Sequence, residues 1–477
     1  MLNYLSTQPS MKKDIRNLRT YSKLTQKELA MKSDVPISKL SKCERGLLIP
    51  NRHFFDSIAK ILSVSSRELQ QAHSELFKNP LSGEGYVTSI SNTSFVLQRR
   101  KKIDEKKIPI VDVFCGIGGF SHGFEQTGKF QVVSGIDLLP DRAKTFSINH
   151  PTSKTFCANI FDFSIKEFKN DVIKPKIVIG GPPCQGFSSI RPFRSVNEND
   201  SRNNLFEYFA LVVDSVKPEW FVLENVVGLL THQNGKTMKR LRSIFQEIGY
   251  TISWSVLNAA HYGLPQRRER LIIVGNDDGK DFKFPKPTHY FNGRSMAKRQ
   301  IRGFSKLEKN SLKPAITVMD AIGDMPELKS GEVCSQYPEN CKLTEYSKKM
   351  RGKQKHITLH QATMHSNKML EIIKHAGPNI NSIPKKLITS GFSTSYSRLE
   401  PNEPSVTITV NFCFPGSNKC IHPYQNRALT PREAARLQGF EDSYLFKGTR
   451  NQVVKQIGNA VPPILGNVIA RSISKSM

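Results

Sequence analysis

The sequence predicts an α/β protein. A doubly wound, Rossmann-like domain carries a smaller second domain, and an all-α domain precedes both. Three observations carry this. An apolar, β-rich run from Ile108 to Phe114 enters a turn holding Gly116, Gly118 and Gly119 and then a helical segment, which is the opening unit of a doubly wound sheet. Further apolar runs end in polar or small residues, as at FQVVSGID and IVIGGPP. Upstream, residues 12–62 read as a chain of short helices. The 477 residues leave room for roughly three domains.

Charge narrows the function classes. The chain carries 70 Lys+Arg against 41 Asp+Glu, a formal +29 with pI near 9.8, so a polyanion such as nucleic acid is the expected partner. Residues 1–107 and 276–397 each carry +10, whereas 108–275 carries only +4. No apolar run has signal-peptide or membrane-spanning length, and the eight Cys are scattered. A reduced, cytoplasmic setting, close to the bacterial nucleoid, is expected.

Residues 1–71 form the first expected domain. Ile15, Leu18, Arg19 and Ser22 share a helix face, and Thr25 with Glu28 makes a capping box that opens TQKELAMKS. Asp34-Val35 turns the chain, and PISKLSKCERG gives a second short helix ending at Gly46. That geometry places a second helix in a major groove. Its outward side chains Ile37, Ser38, Lys39, Ser41 and Lys42 suit base edges and phosphates. TQKELA…SDVPISKLSKCERG resembles the Cro/C1-type helix-turn-helix family, which implies operator binding, with dimerisation through this domain when it acts as a regulator. Residues 72–107, Ser-rich and then RRKKIDEKK, read as a solvated linker.

The core unit, 108–275, holds the chemistry. Glycines let a backbone approach a ligand closely, and Asp137 ends the second strand where such folds bind ribose hydroxyls. After a helix over Ala143–Asn149 comes TFCANIFDF. DVFCGIGGF resembles the S-adenosylmethionine motif of DNA (cytosine-5) methyltransferases. The resemblance implies cofactor contacts from Phe114, Gly116, Gly118, Gly119, Asp137 and Pro182. The family's Asp-Ile in the third unit is Asn159-Ile160 here, and the Asn159 amide oxygen can still accept the adenine hydrogen bond, with Asp162 as a substitute.

A strand over Ile177–Ile179 presents Cys184 just after Pro182-Pro183. A thiolate added at C6 of cytosine makes C5 nucleophilic, whereas methylation of an exocyclic amine needs no such group. Glu224, in FVLENVV, can hydrogen-bond or protonate N3. Gln266, Arg268 and Arg270 alternate, so on a strand all three share one face. They resemble the family's Gln-x-Arg-x-Arg motif, which implies that Arg268 binds the cytosine O2, that Arg270 supports it and that Gln266 lies toward DNA. The Arg-bearing loop after Cys184 could close over a flipped base.

Residues 276–426 are expected to form the target-recognition domain, with basic and aromatic residues interleaved in KDFKFPKPTHYFNGRSMAKRQIRGF. The six-residue gaps in Cys334/Cys341 and Cys413/Cys420 are too wide for usual zinc pairs, so packing is expected and no metal. Residues 427–477 resemble the family's last segments, return to the catalytic domain and imply that Asn459 completes the cofactor pocket. The resemblance covers about 108–475. It implies methyl transfer from S-adenosyl-L-methionine to a flipped cytosine in double-stranded DNA, within a restriction-modification system. The residues leave two alternatives: a transcription factor using the methyltransferase half as a platform, and an RNA substrate.

Overall fold

The computed structural model describes residues 15–22, 24–44, 52–70, 95–160, 168, 173–183, 205–291, 309–388 and 391–477. Cys184, its following loop, Asp162, Arg45-Gly46 and 292–308 lie outside them, as do the side chains of Ser38 and Lys42. The chain divides into two compact units, Met1–Thr93 and Ser94–Met477.

The first unit packs α1 (Ile15–Tyr21), α2 (Gln26–Lys32), α3 (Ile37–Glu44) and α4 (Arg52–Leu62). Its core contains Ile15, Leu29, Leu40, Phe54, Ile58 and Leu62. The capping box forms: Glu28 N donates to Thr25 Oγ1, and Thr25 N donates to the Glu28 carboxylate. Asp34 turns the chain at φ 52°, and Pro36 opens α3 by accepting from Leu40 N at 3.0 Å. Glu44 is almost fully buried and pairs with Arg19 Nε at 2.6 Å and Gln26 Nε2 at 2.7 Å. The acid that closes α3 therefore holds the helices together.

The second unit is built on one eight-stranded sheet. Its strands are β1 (Phe95–Leu97), β2 (Ile108–Val113), β3 (Phe130–Asp137), β4 (Lys154–Cys157), β5 (Ile177–Gly180), β6 (Trp220–Asn225), β7 (Thr251–Asn258) and β8 (Glu269–Asn276). They lie in the order β1-β4-β3-β2-β5-β6-β8-β7. β2 to β6 run parallel, while β1, β8 and β7 pair antiparallel with their neighbours. Helices α5 (Gly119–Glu125), α6 (Pro140–Asn149), α7 (Leu205–Val216) and α8 (Lys236–Glu247) supply the connections.

Successive strand residues feed opposite faces. Val111 joins a core with Phe209, Phe221 and Phe245, whereas Ile110 joins one with Phe124, Val222 and Ile272. Burial on both faces is what a parallel sheet covered by helices requires.

The structure corrects two expected boundaries. Residues 95–107 are part of the sheet unit rather than a linker. Phe95 pairs with Cys157 and Leu97 with Thr155, Arg99 donates to Val133 O and Arg100 to Ser147 O. The boundary at 426 also cuts one core. Val318, Ile322, Tyr346, Leu399 and Ile408 pack with Leu429, Leu437, Phe440 and Ile457. The elements over this stretch are α9 (Val318–Ile322), α10 (Glu345–Arg351) and α11 (Asn367–Lys374), followed by α12 (Pro431–Leu437) and α13 (Arg450–Asn459).

The final helix, α14 (Pro463–Ser476), packs back on the first βα unit: Leu465, Ile469 and Ile473 share a core with Ile110 and Phe120. A Cβ on Gly123 would lie 2.0 Å from Pro463 O, so this helix contact depends on glycine. Among the described residues, no helix is long and apolar enough to cross a membrane, and no group of metal-binding side chains occurs. Cys413 and Cys420 are buried.

Candidate active site

The carboxyl ends of β2, β3 and β4 bring the first set of candidates together. β2 ends at Val113, and Phe114 turns the chain at φ 62°, a left-handed conformation that a bulky side chain adopts only under constraint. Gly116 and Gly118 follow at φ 54° and 89°. The three glycines do different jobs. A Cβ on Gly116 would meet open space, whereas one on Gly118 would lie 2.2 Å from His150 Nε2 and one on Gly119 2.2 Å from Val461 O. The turn is therefore open at Gly116 and packed against protein at its other glycines.

Asp137, at the end of β3, accepts from Gly116 N and Leu139 N, each at 2.9 Å. Burial raises its pKa above the ordinary value against the opposing pull of Arg142 and these two amides. The carboxylate thus braces the glycine turn at the position expected to meet ribose. Ala158 N donates to Asp137 O, which places Asn159 beside it. Asn459 is the exposed last residue of α13. Asp112, which sequence reasoning passed over, lies fully buried beneath the turn and accepts from Ser121 Oγ at 2.5 Å.

The second set gathers at the ends of β5 and β6. A Cβ on Gly181 would sit 3.2 Å from Glu224 Oε2 and 3.7 Å from Val461 Cγ2. Pro182 O accepts from Asn225 Nδ2. Glu224, nearly buried, meets Arg270 Nε at 2.7 Å. Cys184 itself lies outside the described residues, three positions beyond Gly181.

Two assignments change here. Only Arg270 of the Gln-x-Arg-x-Arg run lies on β8, which begins at Glu269. Arg268 spends its Nη atoms on Ile408 O at 3.1 Å and Ala460 O at 3.0 Å. Burial first, and Arg270 next to it, work against its charge, while Glu224 supports it. Arg268 is thus a clasp between segments, and Arg270 is the cation against Glu224. Gln266 is fully buried; it donates to Leu437 O and Gln438 Oε1 and accepts from Ile408 N. It has no surface left for DNA, so its expected DNA contact is withdrawn.

In the first unit, Ile37 is exposed, Ser41 is half-buried and Lys39 is half-buried with Nζ 5.6 Å from the Phe54 ring centroid. These side chains are reachable from solvent along α3.

Residues 108–475 match the family described as C-5 cytosine-specific DNA methylase. The chain belongs to that family. Residues 14–72 match a helix-turn-helix domain. Among relatives of this methyltransferase, Type II methyltransferase M1.HphI of Haemophilus parahaemolyticus is 35% identical over 371 residues, covering 76% of this chain and 86% of the relative. Type II methyltransferase M.AgeI of Thalassovita gelatinovora is 30% identical, covering 76% and 98%. The crystal structure of an E. coli prophage protein described as a DNA modification methyltransferase matches with TM-score 0.59 and 25% identity, over 77% of this chain and 99% of that one. The protein is a DNA (cytosine-5)-methyltransferase with DNA as its partner and an N-terminal helix-turn-helix domain.

Proposed function

We propose that this methyltransferase takes its methyl group from S-adenosyl-L-methionine and delivers it to C5 of a cytosine flipped out of a specific duplex sequence. The carrying observation is the Glu224–Arg270 pair at 2.7 Å, set against Gly181, which precedes Cys184 by three positions in sequence. The residues around the glycine turn fit the cofactor. Gly116 offers open space, with Phe114, Asp137, Asn159, Pro182 and Asn459 as its further contacts. When bound, S-adenosylmethionine supplies an electrophilic methyl.

The Cys184 thiolate adds to C6 as the Glu224 carboxyl passes a proton to N3, and the ring electrons move toward C5. Arg270 orients Glu224. C5 takes the methyl as its bond to the donor sulfur breaks and S-adenosylhomocysteine is left; a base removes the C5 proton, the Cys184–C6 bond breaks to regenerate the thiolate, and N3 returns its proton to Glu224. Bisulfite sequencing of DNA from a host expressing the chain tests this. Methylcytosine at one recurring sequence is expected, and it disappears with Cys184→Ala while DNA binding persists. Full methylation by that variant overturns the mechanism.

The helix-turn-helix domain supports a second role, operator binding by α3, with restriction-modification as the context. The exposed position of Ile37 and the accessible Lys39 support it. A footprint on the upstream promoter that is lost in Lys39→Ala and retained in Cys184→Ala is expected. No footprint with the wild-type chain removes this role.

A further inference from the structure

The glycine turn is held from behind by groups that no assignment above uses. His150, immediately after α6, is fully buried. Its Nε2 lies 3.2 Å from Gly118 O, and its Nδ1 lies 2.7 Å from Glu125 Oε2. Glu125, the last residue of α5, also accepts from Val132 N at 3.0 Å. Burial tends to raise the Glu125 carboxyl, but His150 and the Val132 amide hold it below the ordinary carboxylate range. A carboxylate and a carbonyl only accept, so the imidazole has an acceptor against each of its nitrogens. The buried Tyr444 hydroxyl donates to Ile117 O. With Asp137 on Gly116 N, three successive residues of the turn are each pinned by a different side chain.

His150 also shapes the turn sterically. The site where a Gly118 Cβ would sit is 2.2 Å from His150 Nε2 and 2.8 Å from Phe146 Cδ2. The φ of 89° at Gly118 and the closeness of the imidazole therefore demand glycine together.

We infer that His150, steadied by Glu125, is a positioning residue for cofactor binding, and that with Tyr444 it holds the Ile117 and Gly118 carbonyls so that the turn meets S-adenosylmethionine preformed. The inference rests on the glycine turn being the cofactor site. A turn that must be ordered on binding weakens affinity without changing the chemistry that follows.

The test compares two variants of the full chain by calorimetric binding of S-adenosylhomocysteine, alongside steady-state methylation. His150→Asn keeps a donor toward Glu125 and loses the one toward Gly118 O. His150→Gln reaches the Nε2 position and keeps it. H150N should raise the dissociation constant and the KM for S-adenosylmethionine by about three- to tenfold, the worth of one hydrogen bond, with kcat little changed. H150Q should restore most of the affinity.

Wild-type affinity in H150N, equal losses in both variants, or a defect confined to kcat overturns the positioning role. Should H150N fail to fold by thermal unfolding, Tyr444→Phe carries the test, because loss of its hydroxyl must also weaken binding. A wild-type chain that binds no S-adenosylhomocysteine refutes the cofactor site itself, an outcome separate from normal wild-type binding with an indifferent H150N.

Discussion

Glu224 and Arg270 were visible as residue types in the sequence, but their pairing was not. The alternation Gln266, Arg268, Arg270 suggested one shared strand face. The strand starts only at Glu269, and the preceding turn sends Gln266 and Arg268 inward. Periodicity applies only where the element exists, and nothing local in QRRER marks its start. The two arginines should therefore fail differently. Arg268→Met leaves Ile408 O and Ala460 O without donors, at a cost of about 1–3 kcal/mol per buried group, and should lower the melting temperature. Arg270→Met frees Glu224 and should reduce kcat by about a hundredfold, the scale of a displaced acid–base group, with a smaller loss of stability. Thermal unfolding and initial rates distinguish them, and the reverse pattern would return Arg268 to the chemistry.

Asp112 gives a second test at this scale. Burial, less the help of Ser121 and with Asp137 adding, pushes its carboxyl up to about 8. The folded chain then keeps a proton that the unfolded chain releases near pH 4. Stability through this group falls as pH rises across that window. Asp112→Asn is neutral throughout. Its melting temperature should change less between pH 6 and pH 8.5 than that of the wild type, and identical pH slopes would exclude the buried acid as their source.

At the scale of elements, the glycine-turn unit and the capping box at Thr25 were legible because each has a local signal, whereas the return of the last helix was implied only by the family resemblance of the C-terminal segments. β1 was not. FVL is a three-residue strand between a Ser-rich stretch and a charged run, too short to show alternation, and its pairing with β4 is set by tertiary contact. Its role predicts a sharp difference between two truncations. Deleting residues 1–93 follows the boundary between the units and should leave methylation and melting temperature close to those of the whole chain. Deleting 1–107 uncovers the edge of β4 and removes the bonds to Val133 O and Ser147 O. An unpaired edge invites aggregation, so this chain should melt several degrees lower or precipitate. Equal behaviour of the two truncations would make β1 dispensable.

For the whole molecule, the boundary at 93 redistributes the charge. Residues 1–93 carry 14 basic and 8 acidic side chains, a net +6. RRKKIDEKK falls in the sheet unit instead, where Arg99 and Arg100 are spent on backbone carbonyls. The helix-turn-helix unit has its own core of Ile15, Leu40, Phe54 and Ile58, so its DNA binding should separate from methylation. Phosphate contacts release counterions, and affinity falls linearly with salt on logarithmic axes, with a slope near −0.9 per contact. Operator binding by the whole chain and by residues 1–93 should then share one slope, and Lys39→Ala should reduce it by about one in both. Binding to the methylation target should keep its slope in the chain lacking residues 1–93. These slopes come from fluorescence anisotropy between about 50 and 200 mM salt, the range over which such contacts are expressed. A target slope that drops with the truncation would mean that both units grip the methylated duplex, and that the N-terminal charge serves catalysis as well as the operator.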